Sequence, residues 1–152
     1  MESRSRSQLA VDVVGGPIPV ALTVVDRRLR VGDDKKAERV LDQDVLALVR
    51  NRVAAEIGRR SFAVGEGEAM LVELLEFSWD WVRVQLMGLV ARADAGFRMR
   101  VSFRGQTAIF HGERSRQESS ALQLIADQLE LAMDDAMRSL GEWSGLAPPT
   151  GP

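Results

Sequence analysis

The stretch from Phe97 to His111 alternates apolar and polar side chains more regularly than any other part of the sequence. Its apolar face is predicted to consist of Phe97, Met99, Val101, Phe103, Thr107 and Ile109. Its polar face is predicted to consist of Arg98, Arg100, Ser102, Arg104 and Gln106. A two-residue period is typical of a strand with one covered face and one open face. The chain must therefore supply a second layer that covers the apolar side.

Two stretches with helical periodicity can supply that layer. The first is predicted from about Leu41 to Gly58. Its apolar stripe consists of Val45, Leu48, Val49, Val53 and Ile57. The second is predicted from about Arg116 to Leu140, where Ser115 and Glu118 fit a capping box at the helix start. Each stripe is wide enough to pack against a sheet, so both helices are expected on the same sheet face.

Four strands complete the predicted fold. They are residues 18–25, 69–79, 82–92 and 97–111. The last three are separated by short connections, which favour antiparallel neighbours. We therefore expect an α+β two-layer sandwich, in which two amphipathic helices cover one face of a mainly antiparallel four-stranded sheet. The expected order of elements is β-α-β-β-β-α.

The composition is that of one globular domain. The chain has 152 residues, of which 45% are hydrophobic and 28% charged. Gly15 and Gly16 end a polar start, and residues 145–152 include three prolines and two glycines. The expected organisation is a flexible N-terminal arm at 1–16, a single domain at 17–143 and a disordered tail at 144–152.

The inventory of reactive side chains argues against an enzyme. The chain has no cysteine, and its one histidine is His111. Thiolate catalysis and cysteine zinc sites are thereby excluded, and histidine clusters cannot form within one chain. Gly65-Glu66-Gly67 lacks the Lys-Ser/Thr of a phosphate-binding loop, and no Gly-x-Ser-x-Gly motif occurs. We assign no catalytic residue, cofactor or metal ligand. The net charge of −2 does not favour nucleic-acid binding.

A candidate interface follows from pairing the last two strands through a turn at residues 93–96. This register collects apolar residues and arginines on the sheet face that the helices leave open. They are Val72, Leu74, Met87, Leu89, Arg98, Arg100 and Arg104. Apolar residues beside arginines are typical of protein interfaces. A protein partner or a second copy is expected there. The alternative is that the N-terminal arm or the loop at 27–40 covers the face.

The same register places Glu73 on the helix-covered face. A buried carboxylate is costly unless it is paired. One interpretation is an acid with a shifted pKa. The other is a structural carboxylate that pairs with an arginine of a helix or lies at a sheet edge open to water. Structural pairs are the more frequent outcome.

The layout of the elements also matches a known family. The matching pieces are the strand at 21–27 that ends in Asp-Arg, the helix at 45–57 leading to Ser61-Phe62, the strand at 71–74, the segments 97–101 and 103–105, and the helix at 118–140. Over residues 18–140 this layout resembles the YajG-like bacterial lipoproteins. The resemblance implies a non-enzymatic, envelope-associated domain, lipid-anchored on the periplasmic side of the outer membrane. It implies no catalytic residue.

The start of the sequence departs from that family, because it has neither a signal peptide nor a lipidated cysteine. Two interpretations stay open. In one, the sequence begins after a removed targeting segment, and the protein is periplasmic and associated with the outer membrane. In the other, the protein is cytoplasmic. Contact with a membrane is expected only through a lipid anchor that this sequence does not contain.

The expected function is a non-enzymatic protein–protein interaction module, a subunit or accessory factor of a bacterial envelope assembly. The alternative is a small-molecule or lipid-binding protein that uses a groove between the helices and the sheet. The two differ in where the ligand-facing surface lies: on the open sheet face, or between the layers.

Overall fold

The computed structural model describes residues 16–28, 44–85, 89–118 and 121–147, with the backbone alone for 81–93 and 117–125 where they fall in these ranges. In chain order the elements are β1 (Ile18–Asp26), α1 (Val45–Gly58), β2 (Phe62–Val64), β3 (Glu68–Gln85), β4 (Leu89–Phe103), β5 (Gln106–Glu118), α2 (Ala121–Gly141) and a short 3-10 helix (Ser144–Leu146). Neither α-helix in these ranges is long and apolar enough to cross a membrane.

The five strands form one sheet in the order β2-β1-β3-β4-β5. Strand β1 pairs in parallel with both β2 and β3, whereas β3, β4 and β5 form an antiparallel meander. The predicted α+β class, with two helices and a mostly antiparallel sheet, is confirmed. The predicted four strands and their order are wrong, because the described residues contain five, in the order β-α-β-β-β-β-α.

The turns of the meander lie elsewhere than predicted. Residues 93–96 belong to β4, where Gly96 pairs with Ser78 on one side and Glu113 on the other. The real turn between β4 and β5 is Arg104-Gly105, whose φ angles are +54° and +74°. Two positive φ angles are typical of the tight hairpin turn that follows the twist of the strands. Asp and Gly at 94 and 96 resemble a turn locally, but pairing on both sides keeps them extended.

The start of the second helix also differs. Strand β5 continues to Glu118, and α2 begins at Ala121. Ser115 is not a helix cap; its hydroxyl donates a hydrogen bond to Asp94 across the sheet, at 2.5 Å. Helix α1 begins at Val45, where the Asp44 carboxylate accepts a hydrogen bond from the Leu46 amide at 3.0 Å. The predicted helical residues 41–43 lie outside the described residues.

Both helices pack on one face of the sheet, as predicted. The α1 residues in the core are Val45, Val49, Val53 and Ile57. The α2 residues in the core include Leu129, Met133, Ala136 and Leu140. The sheet contributes Met70, Val72, Leu74, Phe77, Phe97, Met99, Val101 and Phe103. Helix α2 lies close to β5 at Gly112, where a Cβ atom would lie only 1.9 Å from the Ala132 carbonyl oxygen.

A β-bulge in β3 decides which residues reach this core. Leu74 pairs with Met99 and Glu76 with Arg98, so Leu75 is the extra residue. As a result Leu74 and Phe77 both face the core although they are three positions apart. The predicted alternation runs through this point without a break. It therefore places residues 72 and 74 on the wrong face, because a slip of one residue exchanges the two faces of a strand.

Deleting Leu75 is expected to preserve the fold. Leu74, Glu76 and Phe77 would then follow each other with regular alternation, and every paired side chain would keep its face. We expect a loss of about 0.5–3 kcal/mol, the range of ordinary substitutions, measured by urea denaturation. Deletion of Leu71 is the control. It inverts the facing of the residues before the bulge and should abolish folding. Equal tolerance of the two deletions would contradict the bulge.

The first residues of the C-terminal segment belong to the folded core. The predicted tail begins at 144, but residues 144–146 form the 3-10 helix and Leu146 is 1% exposed. Just before them, the Trp143 ring packs edge-on against Phe110, with 5.5 Å between ring centroids. Residues 148–152, and the predicted arm up to Gly15, lie outside the described residues.

Candidate interaction surface

The structure does not bring the seven predicted interface residues together. Val72 and Leu74 are 0% exposed and lie in the core under the helices, so they cannot contribute to an outer surface. Met87 lies outside the described residues. The backbone of Leu89 pairs with Gln85 at the end of the hairpin. The bulge at Leu75 is the physical reason for the misplacement of the two core residues.

The three predicted arginines have different environments. Arg98 and Arg100 do lie on the open sheet face. Arg104 lies at the β4–β5 turn, with its guanidinium 5.1 Å from the ring centroid of Phe62 and 4.9 Å from that of Phe103. It also pairs with Glu68 at 3.3 Å. Arg104 therefore links β2, β3 and β4 at one end of the sheet. The favourable energy of these contacts offsets the cost of its positive φ angle.

Two rows of paired residues define the open face. The first row, from β5 to β1, is Ile109, Arg100, Glu73 and Val25. The second row is Thr107, Ser102, Leu71 and Thr23. We call these eight residues the open-face patch. Ile109 is 51% exposed, more than any other large hydrophobic residue in the described ranges. No described helix packs against this face.

The sequence prediction placed Ile109 on the covered face, with Phe103. The two-residue turn explains the difference. Phe103 pairs directly with Gln106, so these two residues share a face, and Thr107 and Ile109 fall on the opposite one. If the alternation is counted afresh after the turn at Gly105, Thr107 and Ile109 are predicted on the open face.

An ion-pair network lies at the centre of the patch. Arg100 donates two hydrogen bonds to the carboxylate of Glu73, from Nε at 2.8 Å and from Nη2 at 3.1 Å. Arg27 donates a third from Nε at 3.4 Å. The predicted position of Glu73 on the helix-covered face is wrong, again because of the bulge. Its arginine partners come from β4 and from the residue after β1, not from a helix.

These contacts fix the charge of Glu73. The hydrogen bond from Arg100 lowers the pKa of Glu73 below its ordinary value of 4.5, against the opposing effect of desolvation, and Arg27 adds to the lowering. The same pair raises the pKa of Arg100. A carboxylate with a lowered pKa stays ionised and holds no proton to donate near neutral pH. The geometry therefore favours a structural or recognition role over an acid.

The Glu73 network is expected to make stability depend on pH. Because the folded-state pKa lies below the unfolded-state value, the network stabilises the fold above pH 4.5. That contribution is lost as the pH falls through the lower folded-state pKa. Glu73→Gln should therefore melt below the wild type at neutral pH, and the gap should shrink in acid. Thermal unfolding followed from about pH 7 to pH 3 measures it. A gap that does not vary with pH would contradict the network.

The other candidate groups do not form a metal site. His111 is exposed and pairs with Arg98 in the sheet register. Among the residues that the structure describes, no three His, Asp or Glu side chains are grouped so as to hold a metal ion.

The space between the helices and the sheet contains the buried hydrophobic residues of both layers. A ligand groove between these layers, which the alternative function requires, stays a prediction. A groove of about 370 Å³ lies between α1 and α2. It is lined by Arg52, Ala55, Glu56, Arg59, Asp134, Met137 and Arg138.

Comparison with known proteins adds information at the level of the fold. No family model matches the sequence, and no curated protein matches it. The fold is similar to that of rare lipoprotein B from Shewanella oneidensis, with a TM-score of 0.50 and 15% identity over 82% of this chain and 94% of that one. This likeness, at such low identity, concerns the fold alone.

Two further solved structures match less well. A minor lipoprotein from Acinetobacter baumannii has a TM-score of 0.46 and 10% identity over 83% of this chain and 91% of that one. A DUF330 protein from Xanthomonas campestris has a TM-score of 0.49 and 14% identity over 88% of each chain. The fold of rare lipoprotein B has the layout on which the resemblance to the YajG-like lipoproteins rests.

Proposed function

We propose that the protein is a non-enzymatic interaction module, a subunit or accessory factor of a bacterial envelope assembly, which binds a protein partner through the open-face patch. The observation that carries this proposal is a sheet face that no described helix covers, with Ile109 exposed beside the Arg100–Glu73 ion pair. The envelope setting is supported by the fold shared with rare lipoprotein B and by the resemblance to YajG-like lipoproteins.

The open-face patch combines apolar side chains with an arginine. Val25, Leu71 and Ile109 supply apolar surface on a face that is ordinarily polar. Burial of such side chains by a partner contributes about 25 cal/mol for each Å² removed from water. Arg100 adds a residue type that is enriched among those that dominate binding energy.

The Arg100–Glu73 ion pair does not oppose the docking of a partner. Covering an unpaired charge is costly, but Glu73 already accepts hydrogen bonds from two arginines and is only 12% exposed. Its desolvation has therefore largely occurred in the folded chain. A partner that covers Ile109 and Arg100 meets a preformed, neutralised pair, and the remaining N–H groups of the guanidinium can bond to partner carbonyls or carboxylates.

Site-directed photo-crosslinking tests this proposal. A photoreactive residue is placed at Thr107, an exposed member of the patch, in cells of the native host. We expect one discrete adduct in the envelope fraction. Ile109→Glu should reduce its yield at least about tenfold, the effect of losing a binding hot spot. The matched control is Leu131→Glu, an exposed leucine on α2, which should leave the yield unchanged.

The size of the adduct identifies the occupant. An adduct twice the mass of the chain means a second copy, and light scattering of the purified protein should then show a dimer that Ile109→Glu dissociates. A different mass means another protein. Absence of any adduct, or an equal yield from both glutamate variants, would sink the proposal.

A further inference from the structure

The groove between α1 and α2 is lined by five charged side chains and two apolar ones. Its lining residues belong to the two helices and to the residue after α1, and none of them belongs to the sheet. Ala55 and Met137 are its apolar members. Its volume of about 370 Å³ lies within the range of small-molecule sites in proteins. Three arginines line it, from both helices and from the residue that follows α1.

Two of these arginines are held loosely. Arg59 donates to Glu56 at 3.2 Å, and its side chain is 74% exposed. Arg138 donates to Asp135 at 3.1 Å, and its side chain is 65% exposed. Each of these bonds uses one of the five N–H donors of a guanidinium. Most of the donor capacity at the mouth of the groove is therefore open to a ligand.

The carboxylate that Arg138 uses is already neutralised. Arg114 holds Asp135 with two hydrogen bonds, from Nε at 2.7 Å and from Nη2 at 2.8 Å. These bonds lower the pKa of Asp135 more than the bond from Arg138 does. Two arginines thus share one acid, and the groove lining holds three arginines against two acids, Glu56 and Asp134.

The third arginine and the acids of the groove make contacts of their own. Arg52 forms an ion pair with Asp134 across the two helices. Glu56 packs against the backbone of Gly141, where a Cβ atom would lie 2.3 Å from its carboxylate oxygen. The Arg52–Asp134 pair links α1 and α2, whereas Arg59 and Arg138 are mostly exposed and keep N–H donors for a ligand. Two arginines at one groove suit an anionic ligand, because the planar guanidinium group can donate two parallel hydrogen bonds to the oxygens of phosphate or carboxylate.

We propose that this groove binds a small oxyanion, a phosphate group in the first instance, between Arg59 and Arg138. The site is independent of the open-face patch, which lies on the other side of the sheet. A phosphate group can come from a free anion or from a phospholipid head group, and both present the same oxygens to the arginines.

The test measures binding of inorganic phosphate by calorimetry at low ionic strength, and binding to vesicles of phosphatidylglycerol or phosphatidylcholine by sedimentation. We expect saturable binding that Arg59→Gln and Arg138→Gln each weaken about tenfold, because each removes a charge-assisted hydrogen bond. Arg98→Gln is the matched control, an exposed arginine on the open sheet face, and should bind as the wild type does. Circular dichroism checks that each variant is folded.

The outcomes separate the sources. Arginine-dependent binding of inorganic phosphate supports the site with a free anion as ligand. Arginine-dependent binding to phosphatidylglycerol vesicles without binding of inorganic phosphate supports it with a lipid head group. Binding of neither, or equal binding by wild type and both groove variants, overturns the proposal.

Discussion

Replacing Phe77 with alanine is expected to lower the free energy of unfolding by about 3–5 kcal/mol, the cost of removing a buried phenyl ring. Phe77 is fully buried, and its ring meets that of Phe97 edge-on, with 6.2 Å between centroids. It is also the first core residue after the bulge. The substitution therefore leaves a cavity where the strand has just resumed its alternation. Urea denaturation measures the change, with the same m value (the dependence of the unfolding free energy on urea concentration) used for the wild type and the variant.

Two control variants isolate the cavity. Phe77→Leu keeps most of the volume and should cost less than about 1.5 kcal/mol. Leu131→Ala removes an apolar side chain that is partly exposed on α2, and should have a smaller effect still. If Phe77→Ala were no more costly than Leu131→Ala, Phe77 could not face the core, and the register after the bulge would be wrong.

Gly112→Ala is expected to cost about 3 kcal/mol, the upper end of the range for overpacking a core. The added Cβ would lie 1.9 Å from the carbonyl oxygen of Ala132 and 2.7 Å from its carbonyl carbon. These are main-chain atoms of α2, so no rotamer change can relieve the contact. The whole helix has to move away from β5, which loosens the packing of Leu129 and Met133. Thermal or urea unfolding reports the loss.

The matched control is Gly58→Ala. Gly58 is the last residue of α1, and a Cβ added there meets nothing within 4 Å. Alanine is favoured over glycine in a helix by up to about 1 kcal/mol, so this variant should be as stable as the wild type or slightly more stable. Similar stabilities for the two alanine variants would show that α2 does not rest on Gly112.

The helices and their shared sheet face could be predicted from the sequence because their patterns are long. Val45, Val49, Val53 and Ile57 span most of α1 at helical spacing, and every one of them is buried. A stripe of this length tolerates an error at either end. The start of α2 shows the limit. Ser115 and Glu118 match a capping box, yet pairing with β4 keeps this segment in a strand, since tertiary contacts override local preference.

The faces of the strands could not be predicted in the same way. Successive residues of a strand alternate between the two sheet faces. One extra residue at Leu75 therefore exchanges the predicted core-facing and open-face residues on one side of the bulge. The turn at Arg104-Gly105 has the same effect on Ile109. Strand β4 has no such irregularity from Phe97 to Phe103, so the predicted alternation agrees with the open-face position of Arg98 and Arg100. The bulge in β3 moves Val72 and Leu74 into the core instead.

The mixed sheet has a consequence for how the chain folds. In the meander, Gln85 pairs with Leu89 and Phe103 with Gln106, so each hairpin closes between near neighbours in the sequence. The parallel pair of β1 and β3 closes only across the whole of α1 and β2. The chain entropy lost in forming a contact rises with the length of the loop that it closes. The meander therefore closes through contacts that are local in the sequence, whereas β1 joins the edge of the meander only through contacts that are distant in the sequence.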